Sequence, residues 1–368
     1  LRMGLFEAPY VDLDAAARTL AAPAHRDTAR KAAERSAVLL HNEGGLLPLS
    51  RDTGAIAVIG PLADSARDTV GPWVFEQDDS ETVTVLAGIR AAAGNATRVD
   101  YSPGVTRPAR LHKSIFEDDV HAQTPRLVID DDTEITHSVR LASAAEVAVL
   151  VLGEAQIMIG EHASRSTFDL PGRQQELLEA VLATGTPTVL LIMTGRPVDL
   201  KGAAPQAQMM IWYPGTRGGE AVANLLFGEA VPGGKLPYNW PRNIGQVPLP
   251  YAQLRSFKPD WAQERYWNEG NAPLYPFGYG LSYTNFSYGA PSLSADRIAP
   301  GETLEVTVAV TNTGPVTGDE VVQLYIHQRY GSAARPVREL KGFQRITLAP
   351  GETRPVRFPL GPDQLTYW

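Results

Sequence analysis

The 368 residues carry 33 lysines and arginines against 41 aspartates and glutamates, a formal net charge of −8, with 43% apolar residues and no cysteine. Such a chain is long enough for two or three hydrophobic cores. The absence of cysteine excludes disulfides, thiolate nucleophiles and cysteine-held zinc, the acidic balance argues against the basic face that a phosphate backbone requires, and no apolar run reaches the about 18 residues of a membrane span.

The opening stretch LRMGLFEAPYVDLD lacks the charged-then-apolar layout of a signal peptide. It reads as the amphipathic tail of a helix followed by a turn at Ala8-Pro9-Tyr10. In ARKAAERSAVLL, Ala33, Ala37, Val38 and Leu40 recur at near-helical spacing before the turn residues of HNEGGLLPLS. Then come AIAVIG (55–60), AEVAVLVLG (145–153), TVLLIMTG (188–195) and QMMIWYPG (208–215), each a short apolar run closed by glycine. That pattern predicts strands covered on both faces. RQQELLEAVLATG and GGEAVANLLFG place apolar residues every three or four positions and also end on glycine, as helices do. The alternation predicts an α/β sandwich with a largely parallel sheet.

Residues 105–140 are polar, rich in aspartate and basic side chains, and predict an irregular or weakly helical insertion. Proline, glycine and aromatics crowd residues 232–290, which read as a long connector packed over the surface. From GETLEVTVAVTN onward the period changes to two, with Leu304, Val306, Val308 and Val310, then Val322, Leu324 and Ile326, alternating with polar or small residues. Turn residues in NTGPVTGDE and APGETRP recur at the spacing of a β-sandwich. The chain stops at Trp368, soon after the strand-like TRPVRFPL, one or two strands short of a seven-strand sandwich, so a C-terminal truncation is expected.

In an open α/β sheet ligands bind outside the carboxyl ends of the strands. Four loops leave those ends, and only GEAQIMIGEHASRS is both long and loaded with ionisable groups: Glu154, Glu161, His162 and Arg165. A carboxyl group held near neutral pKa on such a loop can act as a general acid. The same glutamates would serve equally well to solvate a surface loop, the commoner role of glutamate. Trp73, in TVGPWVF, suits either an exposed indole on which the C–H face of a sugar packs or a core residue anchoring its loop. His41, His112, His121 and His137 show no metal-ligand spacing, and VIDDDTEI lacks the glycine and terminal glutamate of a calcium loop. Neither a phosphate-cradling glycine motif nor a GxSxG nucleophile elbow is present.

SAVLLHNEGGLLPL, AVIGPLADS, GEAQIMIGEHASRSTFDLPGRQQELLEAVLATGTPTVLLIMTGRPVDL, GEAVPGGKLPYNWPRNIGQVPLPY and LYPFGYGLSYTNF, in that order, resemble family 3 glycoside hydrolases, periplasmic bacterial β-glucosidases in particular. RPVRELKGFQRITLAPGET is similar to the all-β fibronectin type III-like domain of those enzymes. The resemblance implies a (β/α)8 barrel, then an α/β sandwich, then the fibronectin-like domain, and RMGLFEAPY resembles the end of the barrel. The expected division is therefore 1–27 as barrel end and linker, 28–245 as the sandwich domain, 246–290 as connector, and 291–368 as the fibronectin-like domain.

The family's enzymes are retaining, with an aspartate of the barrel as nucleophile and a glutamate of the sandwich domain as acid/base. Glu161, which precedes Ser164-Arg165 at the family's spacing, is the implied acid/base; Glu154, at the strand end, is the alternative. Trp73 matches a tryptophan that stacks on the sugar of the leaving group, and Arg165 is placed with it among the substrate-binding residues. The implied activity is exo-acting release of terminal β-D-glucose from β-linked oligosaccharides, with no metal or organic cofactor. The partners are substrate and barrel, with no nucleic acid or membrane, and self-association into a homodimer is left open. Localisation is expected to be periplasmic or secreted, and the chain alone is expected to be inactive. Alternatives are a β-xylosidase or another family 3 exo-glycosidase, or a non-catalytic carbohydrate-binding fragment. Asp64 and Asp169 are the chain's own candidates for a second carboxylate.

Overall fold

A computed structural model describes residues 2–20, 22–74, 78–112, 128–254 and 266–366; His121 lies outside them. The chain opens with α1 (Leu13–Leu20), which buries no residue, and α2 (Pro23–Ser36), whose proline stands in the first turn, where a missing N–H costs no helical hydrogen bond. At Ala37 the backbone turns extended, and β1 (Val38–Asn42) begins. Val38 and Leu40 thus belong to a strand rather than to the helical repeat expected from ARKAAERSAVLL. Pairing of β1 with a strand 170 residues later buries them, and this tertiary contact overrides the local spacing.

The sheet is completed by β2 (Ala55–Ile59), β3 (Arg98–Ser102), β4 (Val147–Gly153), β5 (Thr188–Met193) and β6 (Ala207–Met210). Between them run α3 (Ala66–Val70), α4 (Val85–Ala93), α5 (Asp131–Ser143), α6 (Gln174–Leu182) and, after β6, α7 (Gly218–Leu226). The strand order is β1-β6-β5-β4-β2-β3, parallel throughout except for β1, which pairs antiparallel with β6. Alternate side chains feed different cores. Ile56, Val58, Val149, Val151, Leu191 and Met209 pack toward Leu86, Ile89, Val222 and Leu225 of α4 and α7. Ala57, Ile59, Leu150, Leu152, Leu190 and Ile192 pack toward Leu177, Leu178 and Val181 of α6. Both faces of the central strands being covered, nearly every position there is apolar, and each buried Val, Leu or Ile contributes about 1.5–3 kcal/mol.

Two expectations need correction. The polar stretch 105–140 ends in a regular helix, α5, whose Asp130 side chain caps Thr133 N and whose first turn carries Asp131, Asp132 and Glu134. Those acids complement the positive end of the helix dipole, so the polarity of the segment favours helix rather than opposing it. The run QMMIWYPG is strand only as far as Met210. Trp212 enters the left-handed region at φ 56°, where its Nε1 donates to Ser36 O at 2.8 Å.

The chain then wraps the sandwich. Trp240 is buried with its Nε1 on Val198 O, while the hydroxyls of Tyr279 and Tyr283 donate to Leu40 O and Leu225 O. A second, antiparallel unit follows: β7 (Phe286–Tyr288), β8 (Ser292–Leu293), β9 (Leu304–Asn312), β10 (Gly318–Ile326), β11 (Glu339–Leu348), β12 (Thr353–Leu360) and the short α8 (Pro362–Leu365). Its two sheets, β10-β11 and β12-β9-β7 with β8 also on β9, enclose Val306, Val310, Val322, Ile346, Leu348, Val356 and Phe358. Glu320 of β10 is buried at the boundary with the first unit, on Lys235 Nζ at 3.1 Å and Tyr288 Oη at 2.7 Å.

Candidate active site

Glycine lets the chain leave β4 close to its neighbour. Gly153 has φ 146°, and a Cβ there would stand 2.0 Å from Met193 O of β5. Glu154 follows at once and is completely buried. Its Oε1 accepts from Arg165 Nη1 at 3.0 Å, its Oε2 accepts from Thr194 Oγ1 at 2.6 Å and Arg196 Nε at 2.9 Å, and its carbonyl accepts from Tyr213 Oη at 2.9 Å. Burial, with the Glu154 and Asp68 carboxylates nearby, pushes the Tyr213 phenol well above its usual range. Glu154 is thus a buried counter-ion between two guanidiniums, an arrangement held by charge-assisted hydrogen bonds.

The loop that starts there turns back on itself around Glu161. Gly160 has φ 101° and His162 has φ 54°, so the chain reverses with the glutamate between them. The Glu161 side chain is 58% exposed, with His162 Nε2 4.0 Å from its Oε1. Backbone carbonyls on both sides of the tip are held. Arg196 Nη2 donates to Met158 O at 3.0 Å and to Ala163 O at 2.8 Å. Arg110 donates through Nη1 to Ile157 O at 3.2 Å and through Nη2 to His162 O at 2.8 Å.

A third arginine braces the base. Arg107 Nε and Nη2 each lie 2.6 Å from the buried Asp68 carboxylate, which also accepts from Ser65 Oγ and from Gln156 N at 2.8 Å. Burial alone would lower the Arg107 pKa; the Asp68 carboxylate raises it by more. Asp68 therefore joins the segments after β2 and β3 to the loop after β4.

Trp73 is 61% exposed, on the loop after α3. A Cβ on Gly160 would stand 3.3 Å from Pro72 Cβ and 3.7 Å from Trp73 Cζ2, so the indole edge lies against the residue before Glu161. Of the residues singled out in the sequence, Trp73 and Glu161 are thus brought together at the solvent-facing carboxyl edge of the sheet. Glu154 and Arg165 are brought together beneath them, in an ion pair. Asp64 is exposed and accepts from Thr84 Oγ1 at 2.8 Å, and Asp169 pairs with Lys201 at 2.7 Å. No motif in the sequence marks Asp68, Arg107, Arg110, Thr194, Arg196 or Tyr213. Their one shared sign is that each stands in the segment that follows a strand, Asp68 within α3.

Residues 37–283 match the glycosyl hydrolase family 3 C-terminal domain, and residues 320–368 match the fibronectin type III-like domain. The chain is 40% identical to a periplasmic beta-glucosidase of Salmonella typhimurium, covering 100% of this chain and 49% of the relative. It is 37% identical to a beta-xylosidase of Formosa agariphila, covering 99% of this chain and 48% of the relative. Among solved structures, a mutant beta-glucosidase from Listeria innocua in complex with laminaribiose superposes with a TM-score of 0.83 at 31% identity, over 97% of this chain and 47% of that one. The chain spans about half the length of the relatives it matches.

Proposed function

The chain belongs to glycoside hydrolase family 3, and on that premise we propose that it supplies the acid/base half of a retaining, exo-acting β-glucosidase site, with Glu161 as the proton donor. The reading rests above all on the contrast between the two glutamates. Glu161 is exposed at the tip of a held loop beside Trp73, whereas both carboxylate oxygens of the buried Glu154 are occupied by hydrogen-bond donors.

In the proposed cycle Glu161 protonates the departing glycosidic oxygen while a second carboxylate attacks the anomeric carbon. Glu161 then takes the proton of the water that breaks the glycosyl-enzyme bond. Retention asks for the two carboxyl groups to lie about 5–5.5 Å apart across the sugar. We assign the second to an aspartate of a barrel domain in the full-length protein, with residues 1–27 leading from it, 28–245 as the sandwich domain, 246–290 as connector and 291–368 as the fibronectin-like domain. Trp73 offers its indole to the sugar of the leaving group, and Arg165 acts on substrate only indirectly, through the loop. Terminal glucose of β-linked oligosaccharides is the proposed substrate, and the periplasm or the exterior the proposed location, in keeping with the Salmonella relative. The similarity to a beta-xylosidase favours xylose as the second reading.

The test is the anomer released. Full-length protein acting on an aryl β-glucoside should release β-glucose first by NMR, and the purified chain alone should leave that substrate unhydrolysed. Initial release of α-glucose, or turnover by the chain alone that disappears in Asp64→Ala, would overturn the reading.

A further inference from the structure

A proton donor has to stand within about 0.5 Å of its working position, yet the side chain of Glu161 is largely free in solvent. Its aim therefore depends on the backbone that carries it. Two guanidiniums bridge the neck of that backbone, each linking carbonyls five residues apart: Arg110 ties residue 157 to residue 162, and Arg196 ties residue 158 to residue 163. The two differ in what stands behind them. Among the described residues Arg110 meets only backbone carbonyls, its Nε donating to His112 O. Arg196 directs its third donor to the buried Glu154, which is fastened in turn to Thr194 at the end of β5 and to Arg165 at the far end of the loop.

We propose that Arg196 is a positioning residue that sets the aim of Glu161, with Glu154 as its anchoring counter-ion. The inference rests on the reading of Glu161 as acid/base. One planar fork reaches three acceptors in different directions: a carboxylate below and one carbonyl on each side of the tip. An ammonium at the end of a flexible stem cannot reproduce that fork, so lysine keeps the charge beside Glu154 and loses the neck bridge. Without the bridge the tip shifts relative to the scissile bond, and a misplacement of about 1 Å costs on the order of 100-fold in rate.

The experiment uses full-length enzyme, the variants Arg196→Lys and Arg196→Met, and two substrates: an alkyl β-glucoside, whose leaving group must be protonated, and a dinitrophenyl β-glucoside, whose leaving group need not be. Expected is a fall of about 100-fold in kcat/KM on the alkyl glucoside against a change of only a few-fold in kcat/KM on the dinitrophenyl glucoside, whose kcat and KM should fall together because the misplaced carboxylate also slows breakdown of the glycosyl-enzyme. A role in stability alone would lower both rates together with the folded fraction. Should Arg196→Met not fold, Arg196→Lys carries the test. Equal loss of kcat/KM on both substrates, or no loss on either, overturns the proposal. Glu161→Ala, measured alongside, separates the two ideas: if its substrate selectivity and its rescue by azide appear while Arg196→Lys loses both rates equally, only the positioning role is wrong; if Glu161→Ala shows neither, the acid/base assignment itself falls.

Discussion

The Arg107 guanidinium holds the buried Asp68 carboxylate through two 2.6 Å hydrogen bonds, and the same carboxylate accepts from the backbone of Gln156. Removing one partner of a buried pair leaves a charge without a counter-ion, at a cost of about 3–5 kcal/mol. Arg107 keeps 35% of its side chain exposed, so water compensates part of that loss. Arg107→Ala should therefore lower the stability of the sandwich domain by an amount near the bottom of that range, read from urea unfolding. A change no larger than that of a surface substitution would mean that other contacts hold the three loops together.

Glu154→Ala should be more damaging, because it strips two largely buried guanidiniums of one fully buried carboxylate. A loss of about 3–5 kcal/mol is expected, together with reduced turnover of every substrate. Azide should restore nothing, since the departing carboxylate lies beneath the loop rather than beside the sugar. Azide rescue of Glu154→Ala would transfer the acid/base role to that residue.

Trp73→Ala should act on binding. An indole face contributes about 0.5–1.5 kcal/mol beyond the area it buries, which corresponds to a KM for a disaccharide raised by up to about tenfold. A methyl glucoside, with no second sugar to stack, should be affected much less. Equal effects on the two substrates would argue that Trp73 serves the loop instead.

Two half-buried tyrosines weaken the fold at alkaline pH. Burial, followed by the charges of Asp64 and Glu134, raises Tyr101 to about 12, and burial raises Tyr275 to about 12. In the unfolded chain both ionise near the ordinary phenol value of about 10. Their folded pKa values lie above the unfolded ones, so the stability they contribute is complete below about pH 10 and is lost as the pH climbs toward 12. Denaturation midpoints should fall across that window, and Tyr101→Phe should flatten part of the fall.

Much of the sandwich was legible because a strand covered on both faces has to be apolar at every position, and β2, β4 and β5 wrote that demand plainly. β3 carries no such pattern: it is an edge strand, RVDYS, half exposed and therefore polar. β1 reads as part of the preceding helix because a run of three apolar residues fits either period. Glu161 and Trp73 could be singled out through a family resemblance, and nothing in their spacing alone set them above surface residues. The arginine rungs left no trace in the sequence, since their acceptors are backbone carbonyls, and the donors lie between 33 and 52 residues away along the chain.

The most direct measurement is Glu161→Ala in the full-length enzyme, assayed with and without azide on substrates of graded leaving-group quality. General acid assistance is worth about 10²–10⁴-fold. Turnover of an alkyl glucoside should fall by that order, glycosylation by a dinitrophenyl glucoside should persist, and azide should accelerate breakdown of the trapped intermediate to give β-glucosyl azide. A uniform loss on all substrates that azide leaves untouched would contradict the assignment of Glu161.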